Sequence, residues 1–276
     1  MKEKIDLNYQ NTQFEIDGYW LDDADNDALE EVNLSKKPLV IICPGGGFTY
    51  LSDFESQPVA MRYAAEGMHS LVFNYQLTDD ENSTYPLAMQ ELAVTLNWLY
   101  DHAEEKNIDV SKVVLLGFSA GGHVVANFNS YMMDKNLREV IFDQELKLEP
   151  AGIMLSYPVV DMGLGWPNDE NLAKKIDPTE KFYQAQKNIN SNSKPTYLWT
   201  TMTDSLVPAK NTLVYVDELD KNAIPYEVHA FGIGEHGMSL ADRSTINVKA
   251  GNYGNTHVAK WVDLSVDWLN IIGVLK

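Results

Sequence analysis

The chain has 276 residues, of which 45% are hydrophobic and 11% aromatic, enough for one large core. Its formal net charge of −19 argues against partners that need clustered Lys and Arg, such as nucleic acids and anionic membrane surfaces. A single cysteine, Cys43, excludes an intrachain disulfide and a cysteine-rich zinc site.

Apolar runs bounded by turn residues alternate with longer segments of helical periodicity. The predicted strands are, in chain order, 39–42, 70–75, 113–116, 152–157, 196–200 and 226–230. The predicted helices are 57–66, 87–103, 120–132, 209–219 and 258–272. Short apolar strands between helices indicate an α/β fold with a mostly parallel sheet covered by helices on both faces.

The domain organisation and cellular location are predicted from what interrupts this pattern. No Pro-, Gly- or Ser-rich linker divides the chain, so we expect a single domain over residues 1–276. The polar segment 163–193 breaks the alternation and is interpreted as a small cap inserted after a strand. The first residues lack the apolar stretch of a signal peptide, and no apolar run approaches about 18 residues, so we expect a cytoplasmic protein.

The sequence G-F-S-A-G at 117–121 lies between a predicted strand and a predicted helix. A turn this tight brings together the residues two positions before and after the serine, and glycine at both positions prevents a collision. The turn lifts the hydroxyl of Ser119 above the sheet edge and directs the helix N-terminus at any negative charge that forms there. We therefore predict that Ser119 is a nucleophile rather than an ordinary turn residue.

A second glycine-rich stretch, P-G-G-G-F at 44–48, follows the first predicted strand. Ligand sites in α/β folds form where strands end, and N–H groups flanked by glycine can approach a substrate oxygen unobstructed. We predict that the N–H groups of Gly46, Gly47 and Ala120 form an oxyanion hole. Four aromatic residues are candidates for lining the substrate pocket: Phe48, Tyr50, Trp166 and Trp199.

A nucleophilic serine needs a base and a group that orients the base, and both are predicted in loops after late strands. His236 lies in the glycine-rich sequence F-G-I-G-E-H-G at 231–237, which presents its side chain at the sheet edge. Asp204 comes just after the strand 196–200 and is the predicted orienting acid. The order serine, acid, histidine along the chain is the order expected for a G-x-S-x-G nucleophile.

Three other residues are weaker candidates for these roles. Asp161 follows the preceding strand, one unit too early, and Glu235 adjoins His236 and is expected to point away from it. His123 lies one helical turn beyond Ser119 and faces the wrong way to accept its proton, so we predict a packing or capping role.

Two further segments match ligand-binding motifs only in part. The sequence G-I-G-E-H-G at 232–237 fits the dinucleotide fingerprint, but no βαβ unit follows it. The sequence D-A-D-N-D at 23–27 begins like a calcium loop, but Ala28 and Leu34 replace the required glycine and glutamate. We interpret the second segment as a solvated acidic turn.

Taken together, the motifs resemble the α/β-hydrolase superfamily, and most closely its small acetyl-esterase and carboxylesterase branch related to acetylxylan esterases. The resemblance covers the chain from about residue 37 to its end. Its most specific segments are C-P-G-G-G-F at 43–48, G-F-S-A-G-G-H at 117–123, T-D-S-L-V-P at 203–208 and E-H-G at 235–237. The resemblance implies an α/β-hydrolase fold and a Ser119–His236–Asp204 triad, with no metal and no cofactor.

The chain departs from the pattern of these relatives at two positions. Gln76 replaces the arginine of a common Tyr-Arg pair, and Pro44 takes the place of the histidine in the common H-G-G-G motif, as in acetylxylan-esterase-like members.

The activity that the resemblance implies is hydrolysis of short acyl esters of small molecules, acetyl esters above all, with acetylated carbohydrates among the substrates. Two alternatives remain: a serine peptidase of the oligopeptidase type, and a catalytically silent binding protein with this fold.

Overall fold

The computed structural model describes residues 2–22, 36–250 and 252–275, so the acidic segment 23–27 lies outside the described residues. The strands are β1 (Lys2–Tyr9), β2 (Thr12–Tyr19), β3 (Lys37–Cys43), β4 (His69–Asn74), β5 (Ile108–Phe118), β6 (Gly152–Ser156), β7 (Thr196–Thr201) and β8 (Tyr226–Phe231). The α-helices are α1 (Gln57–Ala64), α2 (Leu87–Asp101), α3 (Ser119–Asn127), α4 (Lys135–Ile141), α5 (Glu170–Ile176), α6 (Lys210–Lys221) and α7 (Trp261–Ile271). None of these helices combines the length and apolar character needed to cross a lipid bilayer.

The described strands form one sheet in the order β1-β2-β4-β3-β5-β6-β7-β8. β1 and β2 form an antiparallel hairpin, and β2 also runs antiparallel to β4. All the other neighbouring strands are parallel. The mostly parallel sheet predicted from the sequence is confirmed, and the loops that follow its parallel strands meet at one edge.

The sheet is buried on both faces because its central strands are apolar at successive positions. In β3, Leu39 and Ile41 belong to the core that includes α2, α3 and α6, whereas Val40 and Ile42 belong to the core that includes α1 and α7. Side chains alternate between the two faces of a strand, so a continuous apolar run supplies both cores. This confirms the predicted covering of both faces by helices.

The structure adds elements that the sequence analysis did not predict. The hairpin of β1 and β2 comes before the first predicted strand, and α4 and α5 lie between predicted elements. The helix predicted over 120–132 is α3 followed by a wider π-helical turn at Phe128–Met132. Ile5, Leu7 and Tyr9 alternate with polar residues in β1, so the period of two typical of a strand is present in the sequence.

Glu91 is a fully buried carboxylic acid in α2. One of its oxygens, Oε2, accepts a hydrogen bond of 2.8 Å from the N–H of Gln76, and Oε1 has no partner among the described residues. Burial raises the pKa of the Glu91 carboxyl to about 8, and the hydrogen bond from Gln76 acts in the opposite direction. The folded protein therefore favours the neutral form of this side chain.

The wild-type protein is expected to lose stability as the pH rises and Glu91 becomes ionised, whereas the Glu91→Gln variant should not show this loss. Folding raises the pKa of this carboxyl from 4.5 to about 8, so its contribution to stability decreases between these values and levels off above them. Between about pH 6 and pH 9 the loss should be about 2–3 kcal/mol of unfolding free energy. Urea unfolding of both proteins at both pH values measures it, and an equal loss in the two proteins would contradict the prediction.

Candidate active site

Ser119 is the first residue of α3 and directly follows β5, with a φ of 50° in the left-handed region. A Cβ atom on Gly121 would lie 2.1 Å from the carbonyl oxygen of Cys43, and one on Gly117 would lie 2.5 Å from the carbonyl oxygen of Gly121. No side chain fits at such distances. The turn at Ser119 therefore requires glycine at both positions, as the sequence analysis predicted.

Ser119, His236 and Asp204 form a continuous series of hydrogen bonds. The Oγ of Ser119 lies 2.8 Å from Nε2 of His236, and Nδ1 of His236 lies 2.7 Å from Oδ2 of Asp204. A carboxylate oxygen can only accept, so Nδ1 carries the proton and Nε2 is free to accept the hydroxyl proton of Ser119. This arrangement can deprotonate the serine as it attacks a carbonyl carbon.

The Asp204 carboxylate is held in a fixed orientation. Its side chain is inaccessible to solvent, and its Oδ1 accepts hydrogen bonds of 2.9 Å from the N–H groups of Leu206 and Val207. These two donors leave only Oδ2 for His236. The acid thus presents one defined oxygen to the imidazole.

The loop that carries Asp204 is tied to the histidine loop, which we define as residues 232–239. The hydroxyls of Thr201 and Thr203 both donate to the carbonyl oxygen of Gly234, at 2.9 and 2.8 Å. The N–H of Gly234 donates in turn to Oγ1 of Thr203, at 2.9 Å. These three bonds hold the two loops, and with them the acid and the base, at a fixed separation.

The oxyanion loop, which we define as residues 44–48, lies beside Ser119 at the end of β3. Gly46 and Gly47 have φ values of 131° and 62°, and a Cβ atom on Gly46 would lie 2.0 Å from the carbonyl oxygen of Tyr50. Among the described residues, the N–H groups of Gly46 and Gly47 have no acceptor. Ala120 lies in the first turn of α3, where N–H groups have no partner within the helix. All three remain available to a negatively charged oxygen.

A cleft of about 520 Å³ opens over these groups. Gly46, Gly47, Ser119 and His236 line it, together with two of the aromatic residues predicted to do so, Tyr50 and Trp166. Trp166 and Leu172 come from the segment predicted as a cap. The segment 163–193 therefore supplies one wall of the cleft.

The other two predicted lining residues, Phe48 and Trp199, lie in the interior instead. The ring of Phe48 is fully buried against Tyr85, His123 and Trp166, beneath the cleft wall. Trp199 lies on the face of the sheet that carries α7 and stacks on Trp261, with 5.2 Å between the ring centroids.

The weaker candidates for acid and base have other partners. Asp161 accepts hydrogen bonds of 2.8 Å from the amides of Gln184 and Gln186. His123 is fully buried, and its Nδ1 lies 2.6 Å from the hydroxyl of Tyr85. Burial lowers the pKa of His123 to about 4, so this ring is neutral. The predicted packing role of His123 agrees with these contacts.

The sequence analysis did not identify Glu55, a buried residue at the bottom of the cleft. Its Oε2 accepts a hydrogen bond of 2.7 Å from the N–H of Gly45, and its Oε1 accepts one of 2.6 Å from the hydroxyl of Tyr157. Glu55 belongs to a short 3-10 turn at Asp53–Glu55, in a loop with no motif of its own. The sequence marks Glu55 only as a charged residue seven positions after the glycine-rich stretch 44–48.

Comparison with known proteins relates this geometry to esterases. The BD-FAE family profile matches residues 28–219, more than half of the chain. The chain is 36% identical to the carboxylesterase Cest-2923 from Lactobacillus plantarum WCFS1, whose structure it matches with a TM-score of 0.95 over 100% of this chain and 99% of that one. An acetyl ester-xyloside bifunctional hydrolase from Caldicellulosiruptor lactoaceticus is 26% identical, with a TM-score of 0.77 over 97% of this chain and 91% of that one.

A curated relative extends the comparison to a larger protein. Endo-1,4-beta-xylanase B from Butyrivibrio fibrisolvens is 28% identical over 214 residues, which is 75% of this chain and 33% of that protein. The chain spans about a third of the length of the curated relatives that it matches. The similarities confirm the α/β-hydrolase fold and the resemblance to carboxylesterases that the motifs indicated.

Proposed function

The chain belongs to the BD-FAE family and is a carboxylesterase-like hydrolase, and on that premise we propose that it hydrolyses short acyl esters, acetyl esters above all, through Ser119, His236 and Asp204. One observation carries the proposal: the three side chains are hydrogen-bonded in series, at 2.8 and 2.7 Å, at the bottom of an open cleft. Free N–H groups lie beside the serine, where a tetrahedral oxyanion would form.

In the first half of the reaction, Nε2 of His236 takes the hydroxyl proton of Ser119 as Oγ attacks the ester carbonyl carbon. The N–H groups of Gly46, Gly47 and Ala120 stabilise the oxyanion, and each donor of this kind is worth about 3–4 kcal/mol of the barrier. The buried Asp204 carboxylate keeps the proton of His236 on Nδ1 and stabilises the imidazolium. The imidazolium then returns its proton to the alcohol, which leaves as the acyl-enzyme forms.

In the second half, a water molecule attacks the acyl carbon of the Ser119 ester. His236 takes a proton from this water, and the same N–H groups stabilise the second tetrahedral intermediate. Collapse of that intermediate breaks the bond to Oγ, which regains a proton from His236. The carboxylic acid leaves and the free serine is restored.

The lining of the cleft supports small, uncharged substrates. Glu55 and Glu235 are the charged residues among the described residues that line it, and no Lys or Arg joins them. Such a cleft repels anionic groups, including those of lipid surfaces, and the net charge of −19 acts in the same direction. The similarity to an acetyl ester-xyloside hydrolase further supports acetylated sugars as substrates.

We also propose that the chain forms one domain in which residues 163–193 act as a cap on the cleft. The wall that Trp166 and Leu172 provide supports this role. α5 is the α-helix of this segment, and Ala173 and Ile176 are its buried residues. The helix therefore offers no broad apolar face to a lipid, in agreement with a substrate that arrives from water.

Hydrolysis of a p-nitrophenyl ester series is expected to be fastest for acyl chains of two to four carbons. Each methylene that fits an apolar pocket gains about 0.8 kcal/mol, so a deep acyl channel would make kcat/KM rise with chain length. Here we expect kcat/KM to fall beyond about four carbons, because the cleft lining mixes polar and apolar side chains and gives a longer acyl chain little apolar contact. A maximum at octanoate or longer would contradict both the short-chain preference and the role of the cap.

The same assay separates an esterase from the two alternatives. A peptide p-nitroanilide should remain intact under conditions that hydrolyse p-nitrophenyl acetate, and faster cleavage of the anilide would indicate a peptidase. A fluorophosphonate should label Ser119, as mass spectrometry can establish. Absence of both labelling and ester hydrolysis would indicate a silent binding protein.

A further inference from the structure

Glu55 has no part in the reaction steps described above, yet it links two of the segments that carry them. Its two oxygens accept hydrogen bonds from opposite sides, one from the oxyanion loop at Gly45 and one from Tyr157. The hydroxyl of Tyr157 accepts a hydrogen bond of 2.9 Å from the N–H of Ser239, in the histidine loop. A continuous hydrogen-bonded path therefore runs from the oxyanion loop through Glu55 and Tyr157 to the histidine loop.

Further contacts strengthen this path at both ends. The hydroxyl of Ser239 donates to the carbonyl oxygen of Phe54, the neighbour of Glu55, at 2.6 Å. The Tyr157 ring packs edge-on against the ring of His236, with 5.0 Å between their centroids. On the other side, a Cβ atom on Gly45 would lie 2.7 Å from Oε2 of Glu55 and 3.0 Å from Cβ of Ser119. Glu55, the oxyanion loop and the serine are in close contact.

We propose that Glu55 is a positioning residue that holds the oxyanion loop and His236 at the separation that catalysis requires, and that only a carboxylate can do so. The inference rests on the proposed function of Ser119 and His236. It assigns a role to Glu55, which belongs neither to the triad nor to the oxyanion hole.

The requirement for a carboxylate follows from the partners of Glu55. Gly45 donates its N–H to one oxygen of Glu55, and Tyr157 donates its O–H to the other while its own oxygen accepts from the N–H of Ser239. Two donors need two acceptor oxygens, which an ionised carboxylate supplies and a glutamine does not. Burial raises the pKa of Glu55, and the bonds from Tyr157 and Gly45 and the nearby His236 offset only part of this rise. The hydrogen bonds to Oε1 and Oε2 favour the carboxylate form and so act against the effect of burial.

Glu55→Gln should lower kcat for p-nitrophenyl acetate by about 10- to 100-fold with KM changed less than about threefold, because a displacement of about 1 Å in a reacting group costs this much. Tyr157→Phe removes the second half of the path and should have an effect of similar size. Since both act through one connection, the double variant should be no slower than the slower single variant. If the two substitutions instead caused independent structural defects, their fold-losses in kcat would multiply in the double variant.

Glu91→Gln is the matched control, because Glu91 is equally buried but lies outside the cleft. Its kcat should stay within about twofold of wild type. Titration of active sites with a fluorophosphonate corrects every kcat for the fraction of folded enzyme, so a variant that merely unfolds is recognised.

Two results would overturn the inference: a corrected kcat of Glu55→Gln within twofold of wild type, or multiplicative losses in the double variant. Either result is informative when the wild-type protein hydrolyses the ester and is labelled at Ser119. The proposed function then stands, and only the role of Glu55 fails. A wild-type protein that is neither active nor labelled would overturn both proposals together.

Discussion

Ser119→Ala is expected to lower kcat for p-nitrophenyl acetate by about 10⁴- to 10⁶-fold, the loss typical of removing a serine nucleophile. The reason is that the attacking atom itself is missing, while the oxyanion hole and the cleft remain. The fold should be unaffected, since the one hydrogen bond described for this hydroxyl is to His236, and alanine keeps the Cβ atom that the φ of 50° already accommodates. Steady-state kinetics and a thermal unfolding midpoint measure the two effects.

Ser130→Ala provides the matched control for this substitution. Ser130 is also buried, but its hydroxyl donates to carbonyl oxygens of Ala126 and Asn127, away from the cleft. We expect its kcat to stay within about twofold of wild type. Near-wild-type turnover by a well-folded Ser119→Ala protein would show that another group is the nucleophile.

Asp204→Asn is expected to lower kcat by about 10⁴-fold with little change in KM. The N–H groups of Leu206 and Val207 both need an acceptor, so the asparagine oxygen will replace Oδ1 and its amide nitrogen will face His236. Facing an N–H donor, His236 must turn Nδ1 into the acceptor and carry its proton on Nε2. The imidazole then presents a proton to Ser119 and cannot act as its base.

Asp204 stabilises the charged imidazole of His236, which forms only in the transition state. Its loss therefore lowers kcat and leaves KM nearly unchanged. Asp161→Asn is the control, because Asp161 is also buried and follows a strand but is bonded to Gln184 and Gln186. Its kcat should remain within about twofold of wild type. If Asp161→Asn were the inactive variant and Asp204→Asn were not, the acid would be assigned to the wrong strand.

The parallel part of the sheet could be predicted because most of its strands contain a short apolar run, such as 39–42 in β3 and 113–116 in β5. β8 and β7 were predicted to within one residue at each end. The N-terminal hairpin was missed because its strands are half-exposed and charged, so their apolar residues occur singly instead of in runs. Phe14 and Ile16 in β2 show the same alternation as the apolar residues of β1.

The proposed catalytic residues could be located because each lies within five residues of the end of a parallel strand, where chain order and turn residues restrict the choice. Pocket-lining residues were harder to predict, since an aromatic residue near a strand end can face either the cleft or the core. Trp199 shows this, because its ring packs against Trp261 in the core although β7 ends only two residues later. Glu55 could not be found by position, because its role comes from partners 10 and 102 residues away in the chain.

The N-terminal hairpin determines how this sheet meets other molecules. Without β1 and β2, β4 would be the outermost strand, and its unpaired backbone would lie at an edge built from His69–Asn74, of which five residues are buried. An edge with an unpaired backbone is a template for strands from other chains and promotes aggregation. β1 instead ends the sheet with exposed Lys2, Lys4 and Asp6, and charges of this kind oppose strand addition. We therefore expect the hairpin to oppose edge-to-edge association of this sheet with other chains.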